Sequence, residues 1–226
     1  MLMHAQEKLI RSLHTKKGRE KAGKCIVEGE KVVRTASDAV EFVFRQEDSA
    51  AFNELVTTET PQDVAAVARI PEWSDADIRS RKTIVVLDGV QDPGNVGAIL
   101  RLCLGFAASL VLIDSVDVTN PKVVRSSVGA LFHVPWRSIT REDAVAYIQA
   151  FQGTIFRLEA NDLAVCTVAD LRKKNTQPVV LIAGSEGQGI QLPIVGESLS
   201  IGHEAQLESL NVSQALAIAL HEMYCI

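Results

Sequence analysis

From Lys82 onward the apolar residues come in short continuous runs, each closed by a turn and followed by a segment of helical spacing. Thr83 to Asp88, Ser109 to Asp114, Gly153 to Arg157 and Pro178 to Ala183 are of strand length and do not alternate, as expected of strands buried on both faces. Between them, Val96 to Phe106 and Val123 to Ala130 read as helices. In Ser213 to Tyr224, Ala215, Leu216, Ala219, Leu220 and Met223 share one helical face. Strands alternating with helices predict an α/β fold, a mostly parallel sheet with helices on both faces.

The first third is patterned differently. Residues 9–24 read as a polar, basic helix and turn, Cys25 to Gly29 as a strand entering a turn, Glu30 to Ala39 as a helix and Ala39 to Phe44 as a short strand. Val64 to Arg69 closes a small α/β unit, and Pro71 to Arg81 has the composition of a linker. The expected organisation is a small N-terminal α/β domain over residues 1–72, a linker over 73–82 and a larger domain over 83–226.

Composition adds little: 47% hydrophobic and 23% charged residues suit a soluble globular protein. No apolar stretch is long enough to span a bilayer, and His4, Glu7, Lys8 and Arg11 break any leader-like run, so no membrane association is expected. Four scattered cysteines without a C-x-x-C pair favour a reduced, cytoplasmic setting over disulfides, and no metal site is expected. Charge changes the picture more. Residues 1–35 carry nine Lys or Arg against four acids, whereas the remainder carries fourteen against twenty-four. A basic arm on an acidic body suits local phosphate contact, with a solvated surface helix as the plainer alternative.

Three segments concentrate chemistry-bearing residues. Leu87 to Arg101 is a strand, a turn (Asp92-Pro93-Gly94-Asn95) and a helix start, with Asn95 where a cap is expected and Arg101 further along the helix. An N-cap and a surface arginine would explain it structurally, but an exposed helix N-terminus and a guanidinium fork also suit an anion. Val180 to Ile190 delivers three glycines and Glu186 at the carboxyl end of a buried strand, where ligands of parallel sheets bind, although a tight connection with a solvated acid reads the same way. Ile201 to Ser213 enters the last helix with Ser209, Asn211 and Ser213, more capping residues than one helix start needs.

Taken in order, Asn-x-Gly-Ala-Ile-x-Arg, Gly-x-Glu-Gly-x-Gly and Glu-Ser-Leu-Asn-Val-Ser resemble the three signature motifs of SpoU (TrmH-like) RNA methyltransferases of the SPOUT superfamily. Asn120 to Ala130 resembles that family's intervening helix, so the likeness covers about residues 83–224. Residues 9–69 more faintly resemble the family's ribosomal-protein-like substrate domain, in a shortened form.

The resemblance implies a C-terminal trefoil knot, which patterning alone could not have given, and a homodimer. It implies transfer of a methyl group from S-adenosylmethionine to a ribose 2'-hydroxyl of RNA, ribosomal RNA being favoured over transfer RNA. Gly184, Ile201 and Leu210 match cofactor-binding positions; Asn95, Arg101, Glu186, Ser209 and Asn211 match active-site positions. An arginine keeps its proton in proteins, so Arg101 is expected to hold an RNA phosphate and organise the hydroxyl rather than act as a simple base. Glu186 is expected to position the substrate or Arg101, and Ser209 and Asn211 to orient Asn95 or Arg101. Arg11, Lys16, Lys17, Arg19, Lys21 and Lys24 are the candidate RNA-backbone contacts.

The third motif departs from the family pattern: Gly202 and His203 replace Pro-Met, and Ala205 replaces a glycine. Two alternatives follow. One is an RNA-binding relative that has lost the cofactor. The other is a dinucleotide-binding oxidoreductase with Asp114 as the ribose acid, which the turn at 92–97 opposes by lacking G-x-G-x-x-G.

Overall fold

A computed structural model describes residues 1–159, 166–173, 178–204 and 206–224. The chain divides into two compact units, Met1–Glu72 with Asp117–His133, and Trp73–Val116 with Val134–Ile226.

In the first unit, α1 (His4–Leu13) and α2 (Lys16–Ala22) precede β1 (Lys24–Glu28), α3 (Glu30–Ala36), β2 (Val40–Arg45), α4 (Phe52–Leu55) and β3 (Val64–Arg69). The three strands form an antiparallel sheet in the order β1-β3-β2, with Ile26 opposite Val67 and Val43 opposite Ala66. Ile10 and Leu13 of α1 pack with Ile26, Phe44, Phe52, Leu55 and Val67 into its core, where Phe44 and Phe52 meet edge to face. Residues 117–133, expected within the larger domain, join this unit instead. They bury Val123, Val124 and Leu131, and polar ties add to this: Arg125 donates to Glu28 at 2.6 Å and His133 to the Thr35 carbonyl at 2.7 Å.

The second unit opens with α5 (Asp75–Arg79), inside the stretch expected to be a linker. The correction has a packing cause: Ile78 is fully buried in the core beneath β4 (Thr83–Asp88) and β5 (Ser109–Ile113), and Ser109 donates to its carbonyl. Between β4 and β5 lies α6 (Pro93–Gly105). The helix expected at 123–130 is shorter, α7 (Pro121–Ser126), because Val128 and Gly129 take positive φ and end it. There follow β6 (Trp136–Ile139), α8 (Arg141–Gln149), β7 (Thr154–Leu158), β8 (Cys166–Thr167), β9 (Val179–Gly184), β10 (Glu197–Ser200) and α9 (Val212–Tyr224).

The seven strands β4 to β10 form one sheet in the order β6-β5-β4-β9-β7-β10-β8, and each of its pairings is parallel. Ile84, Val86, Val111, Ile113, Val180 and Ile182 pack with Ile78 of α5 and with Ala144 and Ile148 of α8. Their alternate neighbours Val85, Leu87, Leu110, Leu112 and Leu181 are buried too and point to the opposite face, where α6 packs on β5 and α9 on β9. Both faces are covered, which explains the unbroken apolar runs. β4 and β9 lie at the centre and end in register, Asp88 beside Gly184, so the turns after both open at one edge of the sheet.

Candidate functional site

The turn after β4 starts α6 at Pro93, earlier than expected. Asp92, not Asn95, is the N-cap: its carboxylate accepts the Asn95 backbone N–H at 2.8 Å. The Asn95 side chain is thereby released from capping and points at two other motifs. Its amide donates to Glu186 and its carbonyl oxygen accepts from the Asn211 amide at 3.0 Å. Asn211 does cap, at the start of α9: its carbonyl oxygen accepts from the Ser213 backbone at 2.9 Å and from the Ser213 hydroxyl at 2.7 Å. A directed chain of hydrogen bonds thus runs Ser213 to Asn211 to Asn95 to Glu186, ending on a carboxylate, and each link polarises the next.

Glu186 belongs to a tight loop after β9. Gly189 takes φ 64° and its N–H returns to the Ser185 carbonyl at 2.9 Å. A Cβ on Gly184 would lie 2.0 Å from the Gly189 carbonyl carbon, so only glycine allows the strand end and the returning loop to approach this closely. The loop forms one wall of a cavity of about 390 Å³. The facing wall comes from the segment between β10 and α9, including Ile201, His203, Glu208, Ser209 and Leu210, and from Val212 of α9, while Leu158 and Glu159 close the end of β7. The lining combines aliphatic surface with three carboxylates, Glu159, Glu186 and Glu208.

Of the residues expected to bind cofactor, Gly184, Ile201 and Leu210 all line this cavity, as do Glu186 and Ser209. Among the described residues Ser209 forms no hydrogen bond with Asn95, whose side chain is held by Asn211 and Glu186. Arg101 lies elsewhere: it stands on the exposed side of α6, outside the cavity lining, with no ion-pair partner among the described residues. Among the described residues no hydrogen bond or ion pair joins Arg101 to Glu186 or Asn211. His203 donates Nδ1–H to the Ile201 carbonyl at 2.7 Å, which ties its ring to its own loop. A Cβ on Gly202 would meet nothing within 4 Å, so packing does not demand glycine there. Ala205 lies outside the described residues. Asp114, the ribose acid of the oxidoreductase alternative, accepts from Arg141 at 3.0 Å.

The basic arm divides. Arg19 is 3% exposed and donates to Thr119, to the carbonyls of Leu13 and His14 and to Asp117; it is a core ion pair, and its assignment as an RNA contact is corrected. Burial alone would raise the Asp117 carboxyl, but hydrogen bonds from Arg19 and Thr119 carry it below its ordinary value. Arg11 pairs with Glu54, Lys24 with Glu41 and, more loosely, Lys16 with Glu20. Lys17 and Lys21 are exposed and without ion pairs among the described residues. Sequence reasoning missed Asp92 as the cap and Glu159 as a cavity acid; an Asp three residues before Asn95 and directly before proline was a usable signal for the first.

A family model described as the SpoU rRNA Methylase family matches residues 82–221. The 23S rRNA (adenosine(1067)-2'-O)-methyltransferase of Streptomyces azureus is 36% identical over 184 residues, covering 77% of this chain and 67% of its own length. The 23S rRNA (guanosine(2553)-2'-O)-methyltransferase RlmP of Bacillus subtilis is 29% identical over 94% of this chain and 93% of its own. Among solved structures, the SpoU methyltransferase AviRb from Streptomyces viridochromogenes in complex with the cofactor AdoMet superposes with a TM-score of 0.80 at 25% identity, covering 98% of both chains.

Proposed function

The chain belongs to the SpoU rRNA methylase family, and from that premise we propose that it uses S-adenosylmethionine to methylate a ribose 2'-hydroxyl in RNA, ribosomal RNA in particular. The observation that carries this is the hydrogen-bonded set Asn95–Glu186–Asn211, one residue from each of three segments far apart in sequence, whose Glu186 lines a cavity of ligand size.

The cavity residues fit the cofactor. Ala183, Ile190, Ile201, Leu210 and Val212 offer an aliphatic slot for an adenine ring, and Glu186 and Glu208 offer negative charge for a ligand bearing a sulfonium and an ammonium, Glu159 being already paired with Arg157. When bound, S-adenosylmethionine supplies an electrophilic methyl group whose carbon–sulfur bond breaks as the ribose oxygen–carbon bond forms, the hydroxyl proton leaving to an acceptor. The chain's part is alignment. Gly184 and Ile201, on opposite walls, shape the slot, while Asn95, fixed from both sides, holds the Glu186 carboxylate at one orientation. Such placement contributes several kcal/mol to transfer, about 7–11 in well-oriented model reactions. Arg101 holds an RNA phosphate next to the reacting ribose, its planar fork suiting two phosphate oxygens. Within the first unit, Lys17 and Lys21 are the phosphate contacts, with Arg11, Lys16 and Lys24 available on exchange of their surface ion pairs.

The family reading extends to a trefoil knot and a homodimer. The knot is supported by the strand order, in which β9 sits between β4 and β7 although β7 precedes it, and by the post-β10 segment lining the same cavity as the post-β9 loop. The dimer is supported by exposed apolar side chains on the packed pair α6 and α9, Leu104 at 44%, Ile218 at 39% and Tyr224 at 62%. In a dimer built there, Arg101, on the same side of α6 as Leu104, would serve a site shared between copies. A cytoplasmic location is supported by the RNA substrate and by the free thiols of Cys25 and Cys103.

Incubating the full chain with methyl-labelled S-adenosylmethionine and unmodified ribosomal RNA tests the reading. Label is expected in ribosomal RNA and not in transfer RNA. Cofactor binding with no labelled RNA would instead favour the non-catalytic RNA-binding relative.

A further inference from the structure

The carboxyl end of β4 holds a charged side chain that the transfer chemistry does not use. Asp88 is 1% exposed. Its Oδ2 accepts the backbone N–H groups of Gln191 at 2.6 Å and Leu192 at 2.7 Å, and its Oδ1 accepts from Arg141 Nη2 at 2.7 Å. Its own carbonyl oxygen accepts the Ser185 N–H at 3.1 Å. One residue therefore ties both ends of the loop that carries Glu186 and walls the cavity from Gly184 to Ile190. Inside that neck the loop closes on itself, Gly189 N–H returning to Ser185 and the Gln191 side chain donating to the Gln188 carbonyl at 2.5 Å.

The chemistry of the clamp is specific. Three donors converge on it and no acceptor does, so only a group with two accepting oxygens and no N–H satisfies them all. An amide of the same shape would turn an N–H either on the guanidinium or on two backbone N–H groups. A buried carboxylate is also costly unless charge and hydrogen bonds answer it. Arg141, the first residue of α8, supplies that charge while bridging to Asp114.

We propose that Asp88 is a positioning residue for methyl transfer: by clamping the neck of the Ser185–Gln191 loop, with Arg141 as its counter-charge, it sets Glu186 against Asn95 and keeps the cavity wall in shape. The proposal rests on reading that cavity as the cofactor site. The test compares the full natural chain with Asp88→Asn in two measurements, amide hydrogen exchange without ligand and S-adenosylmethionine affinity by calorimetry. Expected are lost protection at Gln191 and Leu192, with the strand amides of β4 and β9 still protected, and a cofactor Kd raised about tenfold or more. Combining Asp88→Asn with Glu186→Gln should cost less in single-turnover rate than the two single losses multiplied, because both act through one carboxylate.

A folded Asp88→Asn protein with unchanged protection and unchanged Kd overturns the proposal. Should that variant fail to fold, Arg141 decides: Arg141→Gln is expected to weaken cofactor binding and Arg141→Lys to restore part of it, and natural affinity in both overturns the clamp. A natural protein that bound no S-adenosylmethionine would defeat the methyltransferase reading, while the ligand-free exchange measurement would still test the clamp.

Discussion

Asn211 donates its side-chain amide to the Asn95 carbonyl oxygen at 3.0 Å, joining the cap of the last helix to the first turn of α6 across 116 residues of sequence. Asn95 makes that bond because Asp92 caps α6 in its place. The capping and aligning duties are thus divided between two residues three positions apart. Asn95→Ala should leave cofactor affinity nearly unchanged and lower the single-turnover methylation rate about 10- to 100-fold, the range expected for a misaligned reacting group. Asp92→Ala should instead destabilise the protein by about 1 kcal/mol, the ordinary cost of a lost cap, read by thermal unfolding.

Gly184 is the tightest point of the cavity wall. In Gly184→Ala the new Cβ meets backbone at 2.0 Å, which no side-chain rotation relieves. Overpacking of this kind costs about 1–3 kcal/mol. The loop is expected to shift and the cofactor Kd to rise about tenfold or more, since each 1.4 kcal/mol is about a factor of ten. Gly187→Ala is the control, because a Cβ there meets nothing within 4 Å. Calorimetric titration of both variants with S-adenosylmethionine checks the contrast.

The basic arm should respond in two different ways. Lys17→Ala with Lys21→Ala is expected to weaken RNA binding and to flatten its salt dependence by about 0.7–0.9 for each phosphate contact removed. Thermal stability should stay where it is. Arg19→Met should do the reverse, because it leaves the partly buried Asp117 carboxylate with Thr119 alone, a loss of about 1–3 kcal/mol. Filter binding across a salt series and thermal unfolding separate the two.

Much of this was legible in the chain and some was not, for identifiable reasons. The strands β4, β5 and β9 stood out because burial on both faces removes polar positions altogether. The helices α6 and α9 kept an apolar stripe, and the motifs carrying Asn95, Glu186 and Asn211 stood at strand and helix ends where parallel sheets bind ligands. β10, with the sequence Glu197-Ser198-Leu199-Ser200, has no strand-like run and is held by its neighbours β7 and β8. α8 and β6 passed unread for a similar reason: only Ala144 and Ile148 of α8, and no residue of β6, are buried. Arg19 was misread because its charge suggests solvent, while its partner Asp117 lies 98 residues away in a segment that joins the first unit only in three dimensions.

Acid should unfold the protein partly through Asp117. Its carboxyl is lowered from the ordinary value of 3.8, so the folded state is favoured while it is ionised; that stabilisation is full above pH about 4 and is lost as pH falls through the folded-state value. Asp48 and Asp77 are lowered in the same direction at the surface, Asp48 chiefly by the N-terminal ammonium, which salt screens, and Asp77 by hydrogen bonds from Ser74, which Asp117→Asn leaves in place. At high salt, then, the acid limb of the stability curve should flatten in Asp117→Asn relative to the natural protein. An unchanged limb would remove Asp117 from the account.

The methyl group is expected to go to a ribose 2'-oxygen. Ribosomal RNA labelled by the protein from S-adenosylmethionine should be hydrolysed in alkali and its products resolved. A 2'-O-methyl group removes the nucleophile that alkaline cleavage needs, so the label is expected in an uncleaved dinucleotide, and Arg101→Ala should abolish it. Label recovered only in mononucleotides, as a methylated base would give, would contradict the account.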